Sequence, residues 1–376
     1  MSDEQELLQE TTRRFIASRC DLTRVRSLVD DADGFDRDVW RGGADMGWVG
    51  LLAPEDHGGS GLEADGLVHA AIVAEELGRM VQPGPFLSTS VVAFALGSVG
   101  TDAQRAAYLP ELVAGRTVAA WCPGAFVIGE TGPSPSVNAA PASSGFLLTG
   151  NGSVVQDAHV ADVLLVSAMT ADGVAQFLVN ADQPGVEVVR LEGLDLARRF
   201  SDVRLHEVAV PADALLPAAD PAHAVERQLQ VAVVLQCAES VGVAARALEF
   251  SVEYARDRIA FGRPIGSYQA IKHRLADAMM RLEASAAATT VATDAVQHEL
   301  DDAGRAVSVA GTYVGESCST IVQDCLQVHG GIGFTWDHDV HLYLRRAKSN
   351  EATLGSPAWH RERLCALLGV GAGGSR

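Results

Sequence analysis

Between residues 256 and 279 the chain reads RDRIAFGRPIGSYQAIKHRLADAM, its densest stretch of unusual residues. A helix ending in basic side chains meets Gly262 and Pro264, a stop signal, before a second helix starts near Ser267. The junction sets Arg258 and Arg263 beside free backbone groups, with Phe261 between them. A guanidinium gives paired hydrogen bonds to phosphate oxygens and stacks on flat rings, so this arrangement suits a pyrophosphate or a stacked ring. It equally describes an ordinary turn between two helices with solvated arginines. A second stretch, LQVHGGIGFTWDHDVHLYLRRAK, puts Gly330, Gly331 and Gly333 directly after a helix that ends at His329. Paired glycines let backbone approach a ligand closely, and they also cap helices. No strand precedes them, so they are not a dinucleotide-binding fingerprint.

Proton chemistry needs a carboxylate or an imidazole. Glu239 has no charged side chain at i±3 or i±4, where Leu235, Gln236, Gly242 and Val243 stand. An unpaired acid whose pKa burial has raised could act as a base. Yet Glu239, Arg246 and Glu253 recur at heptad spacing, the pattern of a solvated polar seam, and a seam is the expectation. His273, His329, His338 and His341 stand singly and are expected to be satisfied interfacial histidines, with no metal site. Six cysteines (Cys20, Cys122, Cys237, Cys318, Cys325 and Cys365) lie far apart without a CxxC pair, which argues for buried thiols over disulfides or zinc.

The elements that position these residues follow from period and punctuation. Up to about residue 118 the pattern is helical, interrupted by the loop PEDHGGSGL, Pro54 to Leu62. From Thr117 to about Leu216 it changes to strands: FLLTG, SVVQ, ADVLLVSA, AQFLVN, GVEVVR and DVRLHEVAV. Beyond Pro221 long helices return. One carries Val234, Ala238, Val241, Ala245, Leu248, Val252 and Ala255, a continuous apolar stripe. Another carries Val307, Val314, Cys318, Ile321, Cys325 and Val328. Stripes of that length predict helices packed as an antiparallel bundle, and the closing GVGAGGSR reads as a tail. The expected fold class is α+β, with an all-α domain over 1–118, a β domain over 119–216 and a helical bundle over 222–370. With 48% hydrophobic residues, 376 residues can build such cores. The excess of 48 acidic over 29 basic side chains gives a net charge of -19, which disfavours nucleic acid and anionic membranes. The N-terminus has acids where a signal peptide needs bases, so a soluble, cytoplasmic protein is expected.

Across nearly the whole chain, PEDHGGSGL, GTDAQRAAYLPELVAG, ADVLLVSA, RIAFGRPIGSYQAIKHRLAD and QVHGGIGFTWDHDVHLYLRRAK occur in the order and spacing of one family. The chain resembles the acyl-CoA dehydrogenases. That resemblance implies an N-terminal helical domain, a middle β barrel or sandwich and a C-terminal four-helix bundle. It implies FAD, an acyl-CoA substrate losing its α-proton and β-hydride, and an electron-transferring flavoprotein as acceptor. In the family the flavin crosses a subunit interface, its ADP half clamped by the neighbouring chain. The matching residues here are Arg258, Phe261, Gln327, Gly330 and Gly331, all of the family type.

The other half of the family's site is altered. The threonine, glutamate, proline and glycine motif that touches the isoalloxazine is replaced by CPGAFVIGETGPSPS. The tryptophan and threonine flanking flavin N5 become Val154 and Gln156. The glutamate base becomes Leu354, followed by Gly355 and Ser356, and its alternative position on the preceding long helix is Ala232. Two substrate-contacting positions become Gln230 and Val233. Glu239, two turns beyond Ala232, is the weak candidate for a displaced base; Glu351, one turn before Leu354, is weaker. The resemblance therefore points to the subunit without a base in a heterotetrameric acyl-CoA dehydrogenase, one that lends an ADP clamp to a complete partner, as in enzymes for bulky steroid side-chain CoA esters. A self-sufficient homotetramer using Glu239 and a flavin-free scaffold are the alternatives.

Overall fold

The computed structural model describes residues 1–60 and 65–370. Six helices open the chain: α1 (Asp3–Arg19), α2 (Leu22–Ser27), α3 (Arg37–Asp45), α4 (Gly66–Arg79), α5 (Phe86–Val99) and α6 (Asp102–Val113). Local chemistry starts them. Ser2 with Gln5, and Thr101 with Gln104, form reciprocal capping boxes that satisfy the first free N–H groups of α1 and α6.

Seven strands follow: β1 (Ala119–Cys122), β2 (Val137–Ala142), β3 (Gly145–Gln156), β4 (Val163–Thr170), β5 (Gly173–Asn180), β6 (Val186–Leu191) and β7 (Phe200–Pro211). They form one mixed sheet in the order β1-β4-β2-β3-β7-β6, with β5 also paired to β4. The runs FLLTG and SVVQ belong to a single strand, β3. Its pairing with β7 slips between Leu148 and Gly150 and between Gly152 and Val155, so the alternation breaks where the strand bulges.

Then come α7 (Pro221–Asp257), a two-residue hairpin of β8 (Ile259–Ala260) and β9 (Arg263–Pro264), and the helices α8 (Gln269–Gln297), α9 (Ala303–His329), α10 (Val340–Ala352) and α11 (Pro357–Leu367). The helix expected near Ser267 begins at Gln269, after a short 3-10 turn over Ile265–Ser267. Within Pro54 to Leu62, Glu55–His57 forms a 3-10 turn, while Gly61 and Leu62 lie outside the described residues, as do 371–376 of the closing tail. Five of the cysteines are buried free thiols; Cys365 is exposed.

One hydrophobic core joins α1–α5, β1 and α7–α9, and a second fills the sheet around Leu148, Val166, Phe177 and Val208. Helix α7 is long and apolar enough to cross a membrane, but 89% of its apolar window is buried inside the molecule. It crosses α4 in backbone contact. A Cβ on Gly242 would stand 2.0 Å from the Glu75 carbonyl oxygen, and one on Gly78 2.1 Å from that of Glu239. Only glycine fits at either position.

Candidate functional site

A cavity of about 230 Å³ lies between α5, the 123–126 segment, β3 and the end of α10, and Leu354, Val154 and Gln156 all line it. Two of these have left-handed backbone: Val154 at φ 57 and Leu354 at φ 53, the latter followed by Gly355 at φ 92. A positive φ in a β-branched residue is an outlier, and it falls on the second bulge of β3. Leu354 is held by its neighbour: the Thr353 hydroxyl donates to Gln236 Oε1 at 2.8 Å, and Gln236 Nε2 donates to the Thr353 carbonyl at 3.0 Å. Among the described residues no carboxylate lines this cavity. Ala232 and Val233 are both buried in α7, and neither lines it. Gln230 is buried too, its amide engaged by Arg227 and Glu226.

Gln156 also borders a second, inner cavity of about 40 Å³ whose wall includes Arg198 and Glu239. Its Nε2 donates to Asp157 Oδ2 at 2.9 Å, and Ser88 Oγ donates to the same oxygen at 3.4 Å. Burial pushes the Asp157 carboxyl up to about 6, against the bonds from Gln156 and Ser88 and the nearby Arg198 and Arg346 charges.

The structure corrects the reading of Glu239. It is 6% exposed and neither unpaired nor solvated. Arg198 donates to its Oε2, and Arg346 donates to its Oε1 at 2.5 Å. Arg346 also bonds Asp195, and Arg198 donates to Asn350 Oδ1 at 2.5 Å. Burial raises the Glu239 carboxyl's pKa, but the two guanidinium charges outweigh burial and hold it below the usual carboxylate range. The heptad seam therefore starts in the core at Glu239, is half-buried at Arg246 and exposed at Glu253. Glu351 is paired as well, accepting from Lys348 Nζ at 2.8 Å and Ser319 Oγ at 2.7 Å. Both carboxylates are thus engaged by cations and hydrogen-bond donors. Arg198, Arg346, Asp195 and Asp157 escape a local sequence reading; the paired arginines 198–199 and 345–346, each beside apolar residues, are the signal that buried acids must face them.

Arg258, Phe261, Gln327, Gly330 and Gly331 share one end of the bundle. Tyr254 near the end of α7 stacks on His329 at the end of α9, ring centroids 4.6 Å apart, which brings the two helix ends together. At that end Phe261 and Gly262 form the hairpin tip, both with positive φ, and Phe261 is 96% exposed. The Arg258 and Gln327 side chains are exposed, and open space surrounds the Cα atoms of Gly330 and Gly331. Arg263 is committed to the Tyr268 ring, 4.1 Å from its centroid, while Arg258, like Arg256, has no ion-pair partner among the described residues. Exposed donors beside open glycine backbone fit a pyrophosphate.

The histidines are not uniformly satisfied. His329 bonds the Cys325 carbonyl through Nδ1 at 2.9 Å while its Nε2 is unpartnered, and both ring nitrogens of His341 are buried without a partner. His341 stacks on Trp336, and His338 lies 4.4 Å from His329. Burial lowers the pKa of all three, which keeps them neutral parts of an aromatic cluster. His273 is exposed. Among the described residues no group of three or more His, Cys, Asp or Glu is placed to hold a metal ion.

Residues 2–116 match the family model "Acyl-CoA dehydrogenase, N-terminal domain", and residues 222–368 match "Acyl-CoA dehydrogenase, C-terminal domain". The chain is 31% identical over 366 residues to acyl-CoA dehydrogenase IpdE2 of Mycolicibacterium smegmatis, covering 97% of this chain and 98% of that one. It is 33% identical to acyl-CoA dehydrogenase FadE27 of Mycobacterium tuberculosis, covering 92% and 91%. Among solved structures it is similar to a variant of the Tcur3481-Tcur3483 steroid ACAD, with TM-score 0.88, 33% identity and 98% of both chains covered. It is also similar to the ChsE4-ChsE5 complex from Mycobacterium tuberculosis, with TM-score 0.89, 30% identity and 98% of both chains covered. Shared motifs, the helix, sheet and bundle architecture, and these matches over almost the full length lead to one conclusion: the chain belongs to the acyl-CoA dehydrogenase family of oxidoreductases.

Proposed function

We propose that this chain is the subunit without a catalytic base in a heteromeric acyl-CoA dehydrogenase, lending the exposed end of α7 and α9 to FAD held mainly by a different chain. The observation that carries the reading is an asymmetry between two half-sites. At the bundle end Arg258, Phe261, Gln327 and Gly331 are exposed, and a Cβ on Gly330 or Gly331 would meet nothing within 4 Å. In the cavity Leu354 stands where the family's base belongs, and Glu239 is consumed by Arg198 and Arg346. The ADP half of FAD fits the first place. The second place suits an isoalloxazine less well: the family's base position is Leu354, and of the side-chain donors at the wall Trp121 is spent on Gln228 while Ser88 and one N–H of Gln156 are spent on Asp157, which leaves the exposed Ser153 hydroxyl and the second Gln156 N–H. Two of the similar structures, Tcur3481-Tcur3483 and ChsE4-ChsE5, carry two chain names, which supports a partner chain here. FAD, when bound, would supply the acceptor for the β-hydride of an acyl-CoA thioester, with an electron-transferring flavoprotein as the onward acceptor. The acyl group is of the bulky, steroid-derived class.

The test is to purify the chain alone and together with a homologous chain that retains the glutamate. Little flavin alone and a yellow, active complex are expected. A fully flavinylated, active homotetramer restores the self-sufficient reading, and a colourless, active complex with flavin held only by the partner restores the scaffold.

A further inference from the structure

We infer that the cavity bounded by Leu354, Val154 and Gln156 is a ligand site of its own, shaped for a neutral apolar ring compound carrying one hydroxyl. This goes beyond the clamp reading and stands on different residues. The walls are largely apolar: Leu87, Trp121, Phe126, Val154, Phe200 and Leu354. Among the described residues no ionisable side chain lines it. Burying a flavin's polar edge against such a wall costs unmade hydrogen bonds, whereas a hydrocarbon ring leaves none unmade.

Size sets the class. An engineered cavity of about 150 Å³ lined by leucine, isoleucine and phenylalanine admits benzene. At about 230 Å³ this cavity is larger by roughly half, room for two fused six-membered rings. With Ser153 exposed at the mouth and the Thr353 hydroxyl given to Gln236, the polar requirement comes from Gln156. An ionised Asp157 carboxylate only accepts hydrogen bonds, so the amide must turn its Nε2 toward it, as observed at 2.9 Å. That leaves the Gln156 carbonyl oxygen and the second N–H of its amide uncommitted at the wall shared with the inner cavity. A ligand hydroxyl, able to donate to the first or accept from the second, complements them. Ser88 does not compete, since its hydroxyl is directed to Asp157 and to the Pro85 carbonyl. Asp157 is thus a positioning residue, acting on the ligand through Gln156.

The test is a fluorescence titration of the purified protein, alone and in its complex, with 2-naphthol and with naphthalene. Saturable binding of both is expected, with 2-naphthol tighter. Gln156→Leu should weaken 2-naphthol about fivefold to tenfold and leave naphthalene unchanged, because one hydrogen bond is lost and the apolar wall is kept. Ala125→Phe, at the rim, should abolish binding of both, and Val154→Phe provides a second filled rim should the first variant misfold. Absence of saturable binding, binding that persists in a folded rim-filled variant, or an unchanged 2-naphthol affinity in Gln156→Leu each overturns the assignment. Flavin content measured on the same samples reports on the clamp separately, so either reading can fail without the other.

Discussion

Glu239 shows how a carboxylate on a functional helix can be structural. Its two oxygens are each taken by an arginine, and the three side chains are under a tenth exposed. Removing the charge leaves Arg198 and Arg346 facing a neutral amide in a dry site, and breaking a buried pair in this way costs about 3 to 5 kcal/mol. Glu239→Gln should therefore lower the unfolding midpoint in denaturant while the flavin-bearing complex, once assembled, keeps its turnover. Normal stability with a hundredfold loss of turnover would make Glu239 the base after all. Asp157 behaves in the opposite sense. Burial lifts its carboxyl from 3.8 to about 6, so the folded state keeps a proton that the unfolded chain releases between those values. Stability should fall as pH rises through that window, and above it the folded state carries a penalty of about 3 kcal/mol, at 1.36 kcal/mol per unit. Asp157→Asn, which can still accept from Gln156, should raise stability at pH 8 by up to about that amount and flatten the slope between pH 4 and 6. Chemical denaturation at several pH values measures both; an unchanged slope would mean that Asp157 is not the titrating group.

The elements are legible in the sequence to different depths, and the differences have physical causes. The stripe on α7 is readable because a 3-4 spacing maps onto one face of a helix whatever it packs against, and Val234, Ala238, Val241, Leu248 and Ala255 are all buried. Strand β3 reads as two pieces because glycines and bulges interrupt its alternation. The partners of Glu239 are invisible for another reason: Arg198 is 41 residues away and Arg346 is 107, so no window of i±3 or i±4 contains them. Leu354 and the glycines after His329 are legible only as types in a motif, not as geometry. What no local pattern shows is how closely α4 and α7 approach. Gly78 and Gly242 let the helices touch, with a carbonyl about 2 Å from either absent Cβ. Because those atoms belong to backbone, a methyl group can be admitted only by moving a helix. Gly242→Ala should cost about 1 to 3 kcal/mol, at the high end of overpacking, despite alanine's better helix propensity. A thermal melt checks it, and a stabilised variant would show that the crossing is looser than described.

At the scale of the whole molecule, charge and placement combine at the bundle end. A chain of net charge -19 repels a dinucleotide's phosphates at long range, so an anion stays only where local donors outweigh the field. The exposed junction after α7 is such a place: Arg258 lies at its C-cap beside the hairpin, and the glycines after α9 leave room for a ligand. On the proposed reading the cofactor's other half comes from the partner chain, since Leu354, Val154 and Gln156 replace the family's residues at this chain's own cavity. One half-site binds weakly because association must first repay lost translational and rotational freedom. In the complex, the charge-assisted bonds from Arg258 to the pyrophosphate are worth about 1.5 to 3 kcal/mol, or roughly tenfold to a hundredfold in affinity. Arg258→Ala should lose flavin to that extent on ultrafiltration of the complex, and the loss should grow with salt, because a surface anion site is screened. Arg258→Lys keeps the charge without the planar fork and should recover only part of the affinity. Equal flavin retention by the three proteins at low and high salt would place the ADP half away from the end of α7.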